Sequence, residues 1–276
     1  MMLRRDLLGQ SWAHAWSTMI ATCIAYLRRV SAYTIQLVRW PLGPVVQFIT
    51  FRVTYSIAGR GQVDGASASG FLIVGMIGLV TFSSSIWVSG YAIEWEREEG
   101  TSGALFLSPA SRAAVIMGYG LGSFVWFMPT FLVIGVLGAV SGATFHVADP
   151  LAVIAAMTSI IFASLATGFA MAGLFILSRR GNLFANTAQQ PIYLLAGFLV
   201  PRAYLPGWLH AISNAIPAAH AVDALRATLL NGADLGSASS ALLWTLGTSA
   251  CFFAIGIMAL RRVEYVAKHY GQLDLY

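Results

Sequence analysis

Residues 151–177 read LAVIAAMTSIIFASLATGFAMAGLFIL and contain no charged residue, no proline and no amide side chain. A helix crosses the hydrocarbon core of a bilayer, about 30 Å thick, with roughly 20 residues. These 27 residues are therefore long enough to span it. A helix apolar on every face must otherwise be buried on every face, and the rest of the chain offers little soluble core to bury it. Of the 276 residues, 58% are hydrophobic and 10% charged, against roughly 25% charged in an ordinary soluble domain. Mean hydropathy is +0.73.

Working outward, five further runs of the same character lie at about 40–58, 71–93, 113–140, 183–200 and 241–260, with Arg52 the one charge inside them. The sequence thus predicts an all-α integral membrane protein with six transmembrane helices. Residues 201–236, broken by prolines and scattered charges, are expected to form short helices on the external side, lying at the membrane surface or re-entrant and dipping partly into it. Before the first span, Leu8, Trp12, Trp16, Met19, Cys23, Tyr26 or Leu27, and Val30 recur at helical spacing. This predicts an amphipathic helix in the cytoplasmic interface, or else one packed against the spans. The expected domains are an N-terminal segment (1–36), a six-span domain (37–262) and a C-terminal tail (263–276). Arg4, Arg5 and Asp6 precede a stretch interrupted by His14, Ser17, Thr18 and Thr22. With no A-x-A-like cleavage site after it, this segment is expected to stay attached.

Lysine and arginine are retained on the cytoplasmic side of a membrane. Counting alternate loops, one side holds Arg4, Arg5, Arg28, Arg29, Arg39, Arg97, Arg112, Arg179, Arg180, Arg261, Arg262 and Lys268, and the other only Arg60, Arg202 and Arg226. The bias predicts a multi-pass plasma (inner) membrane protein with both termini and the 94–112 loop in the cytoplasm. It also accounts for the net charge of +5 without a nucleic-acid-binding face, since no basic stripe with interleaved aromatics is present.

That loop, EWEREEGTSGALFLSPASR (94–112), collects four of the chain's five glutamates. A Glu/Arg cluster begins a short helix, Gly100 with Thr101 breaks it and starts another, and Pro109 stops the second before the third span. Such a charge run is either a solvated loop or a docking element, and the residue pattern alone leaves both open.

Glu96-Arg97-Glu98 followed by Gly100-Thr101, Leu105, Ser108-Pro109 and Arg112 resembles the signature of the ABC type-2 (ABC-2) membrane-protein family. A second match runs through Gly197-Phe-Leu-Val-Pro201, Leu205-Pro206, Trp208, Ile212, Pro217, Ala224-Leu225-Arg226, Leu229 and Gly232. The resemblance implies the permease subunit of an ABC exporter. The loop between spans 2 and 3 would carry a coupling helix that docks on a separate ABC ATP-binding subunit, present in two copies. A second copy of this chain, or a similar permease, would complete the membrane part. The residues it marks for coupling are Glu96, Arg97, Glu98, Gly100, Thr101, Leu105, Pro109 and Arg112. Ser102-Gly103 departs from the Leu-Glu that many members carry after the Gly-Thr pair, which removes one carboxylate from the docking helix. Cargo classes implied are drugs, lipids, and lipid-linked or other polysaccharides.

The chain carries no G-x-x-x-x-G-K-[ST] loop, and its one lysine, Lys268, lies in Val266-Ala267-Lys268-His269. ATP and Mg are therefore expected on the partner, with no cofactor, catalytic residue or metal in this chain. Arg52, Gln189 and Gln190 are candidates for a substrate pathway, because ionisable and amide groups inside spans are costly, and Tyr55 is a fourth, as an aromatic that either faces the substrate or anchors the interface. For Arg52 the alternative is snorkelling to the interface, and for Gln189-Gln190-Pro191 a simple kink. Gly118 and Gly122, with Gly138 and Gly142, form small-xxx-small pairs that suit helix packing within the chain or between copies. Cys23 and Cys251 are expected to be inert buried thiols. An ion-coupled secondary transporter would call for acidic residues near the midplane, and the predicted spans hold none. The Gly65-Ala-Ser67-Ala-Ser69-Gly segment faintly resembles an intramembrane serine protease motif, but none of the five histidines falls in a predicted span to serve as its base.

Overall fold

In hydrocarbon every backbone N–H and C=O must find a partner within the protein, and a helix supplies them all locally. The computed structural model, which describes residues 6–101, 103, 105, 108, 110–177 and 181–270, is accordingly built of helices. In chain order they are α1 (Asp6–Ser31), α2 (Gln36–Ile57), α3 (Ala68–Ser85), α4 (Ala92–Glu98), α5 (Arg112–Trp126) and α6 (Met128–Val140). Then follow α7 (Pro150–Leu177), α8 (Gly181–Leu195), α9 (Gly207–Ala215), α10 (Pro217–Leu229) and α11 (Leu235–Tyr270). A two-stranded hairpin, β1 (Gln62–Val63) and β2 (Ala66–Ser67), interrupts the all-helical expectation. Its turn is Asp64-Gly65, both residues at positive φ, the pairing that short hairpins favour.

Among the described residues three helices are long and apolar enough to cross a membrane: Ala68–Gly90, Pro150–Phe175 and Leu235–Val263. The pair α5 and α6, bent by 40°, makes a fourth when counted as one broken span and not as a re-entrant loop. The third expected span is therefore not one straight helix. Pro129 follows the break at Phe127 and has no N–H to donate back to Val125, so the helical ladder restarts at Met128. The first and fifth expected spans coincide with α2 and α8, which fall outside this set. α2 carries Arg39, Arg52, Pro41, Pro44 and Gln47 in its 22 residues, and α8 has 15, about 22 Å at 1.5 Å per residue. The C-terminal tail begins as helix, because α11 continues through Tyr270.

The most extensive helix pairing is α7 with α11, followed by α1 with α5. Asp149 accepts the Leu151 N–H at 2.9 Å through one oxygen and the Leu235 N–H at 3.1 Å through the other. One carboxylate thereby caps the first turns of α7 and α11. α11 has a second cap in Asp234, whose carboxyl is held below the usual carboxylate range by the hydroxyl and N–H of Ser237.

Small residues bring α3, α5 and α7 together. The Ser85 hydroxyl donates to the Ser164 carbonyl at 2.6 Å, and a Cβ on Gly120 would lie 2.4 Å from Ser89 Oγ. Ser89 sits in a π-helical turn, Ile86–Gly90, that continues α3. Gly118 and Gly122 admit α1 rather than a second copy: a Cβ on Gly118 would meet the Met19 carbonyl at 2.5 Å, and one on Gly122 the Tyr26 ring at 2.7 Å. The apolar residues of α1 consequently split between two surfaces. Met19, Cys23 and Tyr26 face α5, while Trp12 and Trp16 are exposed. Cys251 is exposed on α11, contrary to the expectation of burial. In a span, exposure to lipid is no penalty for a thiol.

Candidate functional site

The loop of 94–112 is a braced element. α4 ends in a Schellman motif, with the Gly100 N–H on the Arg97 carbonyl at 3.0 Å and the Thr101 N–H on the Glu96 carbonyl at 2.9 Å. Gly100 supplies the left-handed φ of 74° that this closure demands. The Thr101 carbonyl then accepts the Leu105 N–H at 3.1 Å, which begins the next helical turn. Ser111 ends the segment by capping α5, its hydroxyl accepting the Ala114 N–H at 3.4 Å.

Most of the charges in this element are already engaged. Glu96 accepts the Tyr119 hydroxyl at 2.7 Å through one oxygen and the Thr101 hydroxyl through the other. Arg97 pairs with Glu94 at 3.2 Å. Glu99 forms an ion pair with Arg29 of α1. Glu98 is exposed and makes no hydrogen bond or ion pair with another described residue. Beneath the charges, Trp95, Tyr26 and Tyr119 form a ring cluster with centroids 5.7 to 6.5 Å apart. The Arg29 guanidinium lies 5.6 Å from the Trp95 ring. Leu105 packs on the same cluster. Arg112 opens α5, and Pro109 lies outside the described residues. The sequence reading missed Arg29, Tyr26 and Tyr119, which come from α1 and α5. Tyr26 stands in the helical spacing of α1, but the contact between the two helices leaves no mark in the sequence.

The pathway candidates fall into two groups. Arg52 donates to the Ser69 hydroxyl at 3.0 Å, and Ser69 donates to the Ser141 carbonyl at 3.0 Å. On the next turn of α2, the buried Tyr55 hydroxyl donates to the Leu199 carbonyl at 2.8 Å. Ser67 caps α3 through the Gly70 N–H at 3.1 Å, so both serines of the protease-like segment are structural braces. Gln189 belongs to the second group: its amide nitrogen donates to Ser83 at 2.9 Å and reaches the Tyr193 hydroxyl, and its oxygen accepts from Trp87 at 2.9 Å. Gln190 is exposed.

Ser83 and Tyr193 also line a cavity of about 210 Å³ between α2 and α3, together with Arg39, Trp40, Gln47 and Phe127. The side-chain oxygen of Gln47 is enclosed and accepts no hydrogen bond. The sequence marks Arg39 only as a flanking charge and does not single out Gln47.

Arg226 is a third focus. It is 7% exposed. One of its guanidinium nitrogens donates to the Gly197 carbonyl at 2.6 Å and the Phe198 carbonyl at 3.2 Å. The guanidinium stands 3.7 Å from the centroid of Phe71. α8 ends at Gly197 in a second Schellman motif, with the Gly197 N–H on Leu194 at 3.0 Å and the Phe198 N–H on Tyr193 at 3.1 Å. The turn presses so closely on α3 that a Cβ on Gly75 would fall 1.7 Å from the Phe198 carbonyl oxygen.

Three helices of membrane-crossing length, with the bent α5–α6 pair beside them, define a multi-pass helical membrane protein. Residues 14–230, from α1 to the end of α10, match the family described as ABC-2 type transporter, and the chain belongs to that family. It is 25% identical over 166 residues to ABC transporter G family member 20 of Dictyostelium discoideum, covering 60% of this chain and 23% of that protein. It is also 25% identical over 182 residues to Nodulation protein J of Bradyrhizobium diazoefficiens, covering 63% of this chain and 67% of that one. The chain thus spans less than a quarter of the Dictyostelium relative's length.

Proposed function

We propose that this chain is the membrane-spanning subunit of an ATP-driven exporter with six spans, α2 and α8 supplying the first and fifth. The observation that carries the reading is the exposed Glu98 on an otherwise self-satisfied bar. Glu94, Glu96, Arg97 and Glu99 fix the element to its own chain, and Glu98 is left for another. The partner is a separate ATP-binding subunit in two copies, which holds ATP and Mg. Its closure pushes the bar, and α1 and α5 receive the displacement through Arg29 and Tyr119. A second permease copy completes the route, and nucleotide biases a bistable arrangement of the two sets of helices. Both termini lie in the cytoplasm, by the arginine bias.

The polar and aromatic cavity at Arg39, Gln47 and Tyr193 supports an amphipathic cargo, with the cation at its mouth and rings along its wall. Ion coupling has less support, since the described residues of the candidate spans contain no Asp or Glu. The test is Glu98→Arg, alone and with Glu96→Arg. The single variant should insert and melt as wild type does, yet lose co-purification of the ATP-binding subunit and transport. Normal capture and export by it would overturn the coupling assignment.

A further inference from the structure

The bend between α5 and α6 changes which helix the chain lies against. α5 packs chiefly on α1 and also touches α3 and α7, whereas α6, past the bend, packs on α2 and α3 and draws away from α7. The space vacated between α6 and α7 is a cavity of about 440 Å³, within the roughly 300–1,000 Å³ range of small-molecule sites. Ile73, Ile134 and Ile160 are among the buried residues of its wall, and Met128, Gly135 and Ile161 are exposed at its mouth.

Two observations decide what fills it. A buried water needs two to four polar partners, and Thr81 is the one polar side chain in the lining. Its hydroxyl is already within 2.9 Å of the carbonyls of Ile77 and Gly78 in its own helix. Water therefore has nothing to hold it there. An empty space of this size would deprive the surrounding side chains of dispersion contacts. The mouth opens across two membrane-spanning elements, where the surrounding solvent is hydrocarbon.

We infer that the cleft between α6 and α7 is an acyl-chain site, occupied by one tail of a bilayer phospholipid. The tail lies against Ile134 and Ile160 and replaces the helix contact that the bend removes. The site is separate from the polar cavity at Gln47 and from the cytoplasmic bar, so it does not depend on what the transporter carries.

Gly135 provides the test, because it lines the cleft and a Cβ placed on it meets nothing within 4 Å. The chain is reconstituted in bilayers of phosphatidylcholine with deuterated acyl chains, re-extracted in mild detergent, and weighed by native mass spectrometry. Wild type and Gly135→Ala should each retain one deuterated phosphatidylcholine per chain that Gly135→Leu lacks. Both variants should melt at or above the wild-type temperature, because each replaces a helical glycine. Equal retention in wild type and Gly135→Leu, or none in wild type, would overturn the site. So would a shift from dimer to monomer caused by Gly135→Leu, which would place a second copy in the cleft.

Discussion

Two helices of this protein end in the same way and serve opposite purposes. α4 closes at Gly100 and α8 at Gly197, each through a pair of Schellman bonds and each with its glycine at φ 74°. Around Gly197 the chain seals the turn itself: the next carbonyls are held by Arg226, and the Arg202 side chain lies against the glycine. Around Gly100 nothing lies within 4 Å of a Cβ position, and Glu98, Glu99, Gly100 and Thr101 are all exposed. The same backbone device is a closed knot at one place and an open edge at the other, and the open edge is where an external partner has room to bind.

The largest expected effect falls on the closed knot. Arg226→Ala leaves two buried carbonyls unpaired and a void beside Phe71, a loss of about 3–5 kcal/mol. Thermal melting in detergent should register it, and an unchanged melt would mean that the guanidinium does not seal the turn. The next comparison sets the two glycines against each other. Gly100→Ala pays only for its left-handed backbone, roughly 1–2 kcal/mol. Gly197→Ala must also displace Arg202, adding about 1–3 kcal/mol of overpacking. Equal shifts in melting temperature would erase the distinction drawn here. The smallest effect is expected at the exposed ion pair of the open edge. Glu99→Gln should cost about 0.2–1 kcal/mol at low salt and almost nothing at high salt, so a salt-independent loss would show that Arg29 and Glu99 are not a surface pair.

What could be read in advance follows from the range of each interaction. The helices at 68–90, 150–175 and 235–263 announced themselves because an uninterrupted apolar run depends on no neighbour. The Gly100-Thr101 break was legible for the same reason, since a left-handed cap is a local matter between four or five residues. The bend in the third span had a local signal in Pro129, but it was submerged in an apolar run that read as continuous. The partners of the bar could not be seen, because Tyr119 and Arg29 are 23 and 70 positions from the glutamates they meet. Gln189 showed the limit of composition most clearly. An amide in a span reads as pathway or kink, and composition does not show that this one ties Trp87 and Ser83 of the second span to Tyr193. The apolar spacing of α1 likewise did not separate the face on α5 from the face turned outward.

Asp149 has a mechanical corollary. Because its two oxygens each grip the leading amide of a different helix, α7 and α11 cannot slide or twist independently without stripping one oxygen of its proton donor. The pair behaves as a single yoked strut.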